Sequence, residues 1–572
     1  MILPGSIVAG LVRLGSLYPL DVDPDEDLVR SLAFLELDVD AAALAGASQA
    51  LGLLAAGLAA TAWVLAPSGL GLGVGAALLA AGLVGAHAIV AGPVLVATAR
   101  RTSALGDAPD LVARAVLRMR LAPAPEAAAA FAADGDGGPL ARSLRRHVRR
   151  ARGSPGSGLE SFAAEWADWF PALRRAVSLI EAAGDAPGPD RERLLDRSLD
   201  AVLEGTESAM RSFASDVRGP AMGLYAFGVL LPTALVSLLP AASMAGLPVT
   251  ALSLAVVYDI LLPIGLLAAS ARLLASRPVA FRPPRLDVAD APVPDRWQVA
   301  TVAAVGAGVL AWIATSLAFP GWAGPIAAVG YGVGTWLVLR YRPLVDVYGR
   351  IRAVESGLSD ALSLVGRRVA AGQSAEAAVR ETAAELDGEM AAVLSEATRH
   401  QEQLGAGLRE ALLGRNGAVS RVPSPRLEGS AALFARAAEE GSPAGEALLA
   451  LGGHLADLEA VEERARHNLD AVCSTLRSTA GLFGPLVAGA TVALADGMAG
   501  QRAFVPGGGD PLPWLGLVVG GYVLAMATIL TALSIGLRRG LDGPLVAHRV
   551  GRALLLGTTT MLVAYALAST VA

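Results

Sequence analysis

The chain of 572 residues contains no lysine: all 46 of its basic residues are arginines. That absence removes the chemistry that needs an amine side chain, including the phosphate-binding lysine of a P-loop, a Schiff base and a lysine general base. A GC-rich codon bias is the simpler cause, and the chemical consequence is the same. Cysteine occurs once, as Cys473, which excludes an intrachain disulfide and a zinc site built on thiolates. The six histidines are scattered without metal-ligand spacing, and no serine, histidine and aspartate constellation is visible. No metal, cofactor or catalytic residue is therefore expected. Charge is scarce as well, at 17% of residues, and a net charge of -6 argues against a nucleic-acid partner.

What is abundant is apolar surface. The chain is 54% hydrophobic with a mean hydropathy of +0.52, too apolar for a water-soluble globule of this size. Charge-free runs of about 20 residues suit a hydrocarbon core about 30 Å thick. They predict nine membrane-spanning helices, at about 47–65, 70–98, 221–239, 249–274, 298–318, 322–339, 479–496, 513–536 and 553–571. Everything between them reads as helix or loop, so the expected fold class is an all-α polytopic membrane protein. Pro4 and Arg13 interrupt the first apolar stretch and "DVDPDED" follows it, which is not the pattern of a signal peptide. Residues 1–46 read as an N-terminal cytoplasmic region.

Arginine placement predicts orientation, because cytoplasmic loops near span ends hold the positive charge. Under nine spans, Arg100 and Arg101, then Arg272, Arg277, Arg282, Arg285 and Arg296, then Arg340, Arg342, Arg350 and Arg352, then Arg538, Arg539, Arg549 and Arg552 all fall on one side. The opposite loops "PSG", "PAASMAG" and "PGWAG" carry no charge, and only 497–512 carries any, with Arg502 and Asp510. This puts the N-terminus, the polar regions 99–219 and 340–478, the linker 275–297 and the loop 537–552 in the cytoplasm. The C-terminus is then outside.

The two polar regions are copies of one another. In "PDLVARAVLRMRLAPAPEAAAAFAADGDGGPLARSL" and "SDALSLVGRRVAAGQSAEAAVRETAAELDGEMAAVL", Asp110 falls on Asp360, Glu126 on Glu376, Gly138 on Gly388 and Leu144 on Leu394, all 250 residues apart. Further on, "SLIEAAGDAPG" parallels "ARAAEEGSPAG", where helices are expected to end at Gly184 and Gly441. Each copy then runs through a long polar helix into a span with one proline, Pro232 or Pro485, expected to kink it. Two spans, a helical bundle and two spans thus recur, with a ninth helix appended. An even number of crossings per half makes this a tandem parallel duplication, unlike the inverted repeats of many transporters.

These segments, with the "GSGLESFA" and "GAGLREAL" steps and the "EAAGDA" and "AEEGSP" turns leading into a proline-bearing span, resemble the F domain of type II secretion systems. That domain occurs in the platform proteins of type IV pili, tight-adherence pili and archaella. The likeness covers roughly 100–245 and 350–500, and "LYPLDVDPDEDLVRSLAFLELDVD" resembles the leader region of duplicated archaeal-type platforms. Bacterial pilus platforms have fewer spans, so nine fits the larger archaeal-type branch. The resemblance implies a non-enzymatic scaffold in the cytoplasmic membrane, a homodimer that engages a hexameric secretion ATPase, pilin subunits and membrane lipids.

Among individual residues, Asp259 sits near the middle of the fourth span, where an ionised carboxylate costs at least about 2.5 kcal/mol. It reads either as a polar contact for a pilin or between repeats, or as a structural aspartate partnered by Tyr258 or His87. His87 is alone in the second span and reads first as a packing contact. Arg142, Arg145, Arg146, Arg149 and Arg150 line one amphipathic helix, a candidate face for an acidic surface of the ATPase or for anionic lipid. Glu439, Glu440 and Gly441 form an acidic turn in the second copy, a further candidate contact. A transporter would place several polar groups in its spans, and an intramembrane enzyme would need two converging ones; only Asp259 and His87 are present near midspan.

Overall fold

A computed structural model of the chain describes residues 10, 13–16, 18–20, 22–37, 39–65, 70–121, 123–134, 138–153, 156–232, 234–236, 251–277, 297–440, 442–502 and 514–571. Among them there is no strand, and the protein is all-α as expected. After α1 (Glu26–Phe34) come the apolar helices α2 (Ala41–Leu65) and α3 (Leu70–Leu105). A first polar lobe follows as α4 (Ala108–Leu121), α5 (Pro125–Ala133), α6 (Pro139–Ala151), α7 (Leu159–Trp166), α8 (Pro171–Asp185) and α9 (Gly188–Tyr225). Then α10 (Ala251–Ala255), a π-helical turn Val256–Leu261 and α11 (Leu262–Ala275) make one rod, followed by the hairpin of α12 (Trp297–Ala318) and α13 (Ala323–Glu355). The second lobe repeats the order as α14 (Leu358–Ala370), α15 (Ala375–Glu385), α16 (Glu389–Leu404), α17 (Leu408–Leu413), α18 (Pro425–Glu440) and α19 (Ser442–Ser478). The chain closes with α20 (Gly484–Arg502), α21 (Leu515–Arg539) and α22 (Gly543–Ser569).

Among the described residues eight helical runs are long and apolar enough to cross a membrane, and this is a multi-pass membrane protein. The ninth expected span, 322–339, lies in α13 and is not among the eight. Its apolar content is diluted by Gly324, Gly330, Gly332, Gly334, Tyr331 and Trp336. Those glycines serve packing. α13 returns antiparallel along α12, and a Cβ at Gly308 would stand 3.1 Å from the carbonyl oxygen of Ala328. The Trp336 indole donates to the Thr301 hydroxyl at 3.3 Å. On the other side, a Cβ at Gly330 would overlap Thr558 of α22. Small residues are what close membrane helix pairs, and here they face α12 and α22 while Val329 and Val333 stay exposed.

Each lobe has a core of its own. In the first, Leu111, Val116, Leu140, Phe162, Leu173 and Ile180 are buried together; in the second, Leu362, Val365, Val379, Leu394, Leu412 and Phe434. Proline opens α5, α6 and α8 at a position where its missing N–H is no loss, and Ser374 caps α15 by accepting from the Ala377 amide at 3.3 Å. Gly184 departs from expectation. It lies inside the last turn of α8 and has no left-handed backbone; a Cβ there would come within 2.8 Å of the Pro125 ring, so close approach of α5 is what requires glycine. Glu440 ends α18, and Gly441 lies outside the described residues.

The lobes stand side by side on one side of the spans. α9 and α19 pack together, and Glu207 of α9, paired with Arg211 at 2.8 Å, also meets Arg464 of α19 at 3.3 Å. Both helices continue without a break into π-helical turns, Ala226–Leu230 and Thr479–Phe483, each two residues before the expected proline. The parallel duplication is therefore visible element by element. α1 ties the N-terminal region in, through Leu28 and Leu32 against Ile89, Val90 and Val94 of α3, and through Phe34, which shares the Arg101 guanidinium with Trp169 at 4.6 and 4.8 Å.

In the second lobe α14 packs closely against α19, where a Cβ at Gly445 would lie 2.5 Å from the Ala370 amide nitrogen. Gly445→Leu should overpack this contact at a cost of about 1–3 kcal/mol. Hydrogen exchange of the α14 amides read by mass spectrometry should then quicken roughly ten- to hundredfold, with α4 in the first lobe unchanged.

Candidate functional site

The two halves meet in the apolar layer around a pair of tyrosines. Their placement follows from the prolines. Proline has no N–H, so the carbonyl four residues earlier loses its helical partner, and at membrane depth water is not there to replace it. For Pro232 that carbonyl is Gly228, and the Tyr522 hydroxyl of α21 donates to it. For Pro485 it is Gly481, and the Thr560 hydroxyl of α22 donates to it at 3.1 Å. The π-helical turns before both prolines give the backbone the slack this requires. The rod of α10 and α11 has the same device, a π turn ending two residues before Pro263.

Tyr258 and Tyr522 are each the eighth residue of a 25-residue helical run, 251–275 and Leu515–Arg539. They are 1% and 4% exposed, with ring centroids 5.8 Å apart and planes at 89°, an edge-to-face pair across the two halves. The Tyr258 hydroxyl donates to the Pro232 carbonyl. One proline-bearing segment is thus held by a tyrosine from each half. Between these rings, Pro232, Gly484 and Met526 the remaining cavity is about 10 Å³, room for at most one water. Lobe-side, Arg277 locks the same helices: its Nε donates to the Leu537 carbonyl at the end of α21 at 2.7 Å, and burial pushes the guanidinium down to about 10, which leaves it charged at neutral pH.

Asp259 follows Tyr258 but faces the other way. Its side chain is exposed, and a Cβ on Gly521 would stand 2.8 Å from its Oδ1, so the carboxylate lies over bare backbone of α21. Neither proposed partner is used: the Tyr258 hydroxyl is engaged by Pro232, and no hydrogen bond or ion pair joins Asp259 to His87 among the described residues. His87 is likewise exposed, on α3. Asp496, near the end of α20, accepts from the Tyr565 hydroxyl at 3.0 Å.

The arginine helix α6 divides along its length. Arg145 donates to the Ala133 carbonyl at 2.6 Å, and Arg146 lies 3.5 Å from Glu36 and 3.6 Å from Glu165, so both serve the lobe's own structure. His147 joins them, 2.6 Å from Glu165. Arg142, Arg149 and Arg150 are exposed. Glu439 and Glu440 close α18, and their side chains lie outside what the structure describes.

The chain matches no family model, no curated protein and no solved structure. The site therefore rests on its own geometry. The tyrosine pair was missed in the sequence, where Tyr258 counted only as a partner for Asp259. The signal was there: a tyrosine tenth in the fourth expected span of each half, 249–274 and 513–536.

Replacing Tyr522 by phenylalanine leaves the Gly228 carbonyl without a donor, which should cost about 0.5–2 kcal/mol in this setting. Cys473, the sole cysteine and 0% exposed, supplies the readout. Its thiol in Tyr522→Phe should react at a lower temperature than in the parent protein, whereas Asp259→Asn, which breaks no contact, should leave that midpoint in place.

Proposed function

We propose that the protein is a non-enzymatic membrane platform for assembling a type IV pilus-like filament, coupling a cytoplasmic secretion ATPase to the entry of pilin subunits. The observation that carries this reading is the pair of uninterrupted helices, α9 and α19, each running from a lobe through a π turn into the apolar layer. At 1.5 Å per residue their 38 and 37 residues extend about 55 Å each. Helices of that length transmit a push or a rotation from lobe to span. The resemblance to the F domain supplies the identity of the driver and the cargo, and the absence of any lysine agrees with an energy source outside this chain.

In this reading the lobes lie in the cytoplasm and the membrane is the cell membrane, with the N-terminus inside and the C-terminus outside, as arginine placement favours. The exposed arginines Arg142, Arg149 and Arg150 offer the ATPase a basic face, and Asp259 offers a pilin segment a polar contact within the bilayer. The protein works as a homodimer. A transporter with parallel repeats is the competing reading. The closed seam, with room for one water, speaks against a solute path between the halves.

Deleting the gene should abolish surface filaments seen by electron microscopy while small-solute uptake continues. A deletion strain with normal filaments refutes the proposal. In addition, the full-length protein in detergent should retain the co-expressed ATPase, and Arg149→Glu with Arg150→Glu should weaken that capture without moving the thermal midpoint.

A further inference from the structure

Where the second half leaves the apolar layer on the lobe side, guanidinium groups gather from four helices. Arg538, at the end of α21, is paired with Asp470 at 3.0 Å, and the buried Asp542 before α22 lies near Arg352. Three others face outward. Arg477 of α19 and Arg549 and Arg552 of α22 are exposed, and no ion pair engages them among the described residues. The charged groups that bear on Arg549 are Arg552, Arg477, Arg352 and Arg538, all cations. In a chain whose acids outnumber its bases, 52 to 46, such a gathering is a local excess of positive charge that Asp470 and Asp542 offset only in part.

The surface below it is equally specific. Arg549, Arg552, Leu556, Val563 and Leu567 follow one another at intervals of three, four, seven and four, which keeps them on one face of α22. The three apolar members are 58%, 51% and 66% exposed. From Arg552 to Leu567 the face extends about 22 Å, comparable to one leaflet's share of the hydrocarbon core plus its boundary. A cationic head continuous with an exposed apolar strip has the form of a phospholipid, which a free phosphate would leave half unused.

We propose that the surface formed by Arg477 and the start of α22 binds an anionic phospholipid, its phosphate held by Arg477, Arg549 and Arg552 and an acyl chain lying along Leu556, Val563 and Leu567. Guanidinium forks match phosphate oxygens in pairs. The site is independent of the filament reading, since it requires only a bilayer with anionic lipid.

The test uses the full-length protein. Native mass spectrometry should find phosphatidylglycerol retained over phosphatidylcholine, and nanodiscs containing phosphatidylglycerol should raise the thermal midpoint. Combining Arg477→Gln, Arg549→Gln and Arg552→Gln should reduce lipid retention at least tenfold, as the loss of three boundary cations implies. A control with Arg100→Gln and Arg272→Gln, two exposed boundary arginines elsewhere, should retain it. Equal retention of both lipids, an equal loss in the control, or the same stabilisation from millimolar inorganic phosphate would each overturn the proposal.

Discussion

The structure depends on a shortage of hydrogen-bond donors at membrane depth. Of the prolines inside apolar helices, Pro232, Pro263 and Pro485 follow π turns, and each removes an amide where water cannot substitute. The chain meets this with a π turn before each proline and, at Gly228 and Gly481, with a hydroxyl from the second half. One such hydroxyl crosses between halves, so satisfying the backbone and joining the repeats are one act. Tyr522 bonds a residue 294 positions earlier in the chain, and Tyr258 stacks edge-on against it.

Electrostatics follows the same division into layers. Most arginines lie in the lobes and at the lobe-side ends of the spans, where Arg277 caps α21 and the cluster around Arg549 stands open. Within the lobes the ion pairs are mostly exposed, worth 0–1 kcal/mol each by the usual measure, so the separate apolar cores hold those bundles together. Asp259 is the exception to this layering: a carboxylate over the bare backbone of Gly521 with no partner among the described residues.

Much of this was legible in the sequence because it is periodic. Charge-free runs marked the spans, and the offset of 250 marked the repeat; each lobe helix then appeared with its counterpart. What was not legible depends on distance in space. Nothing local says that Arg146 reaches Glu36 or that Gly184 makes room for Pro125. The span in α13 was visible as a run without charge, yet only its fit between α12 and α22 explains so many glycines there. The tyrosine pair needed both halves superimposed, since the Tyr522 hydroxyl answers the Gly228 carbonyl freed by Pro232 and the Tyr258 hydroxyl answers the carbonyl of Pro232 itself.

A π turn contains one residue more than the α-helical turn it replaces, and one residue is about 100° of helical rotation. The amphipathic stripe of α19 and the apolar face of α20 are consequently out of phase by that angle, and the same extra residue follows α9 at Ala226–Leu230. Each junction acts like a vernier: the compass bearing of a lobe about its own long axis is set by a single inserted position rather than by the loops that surround it.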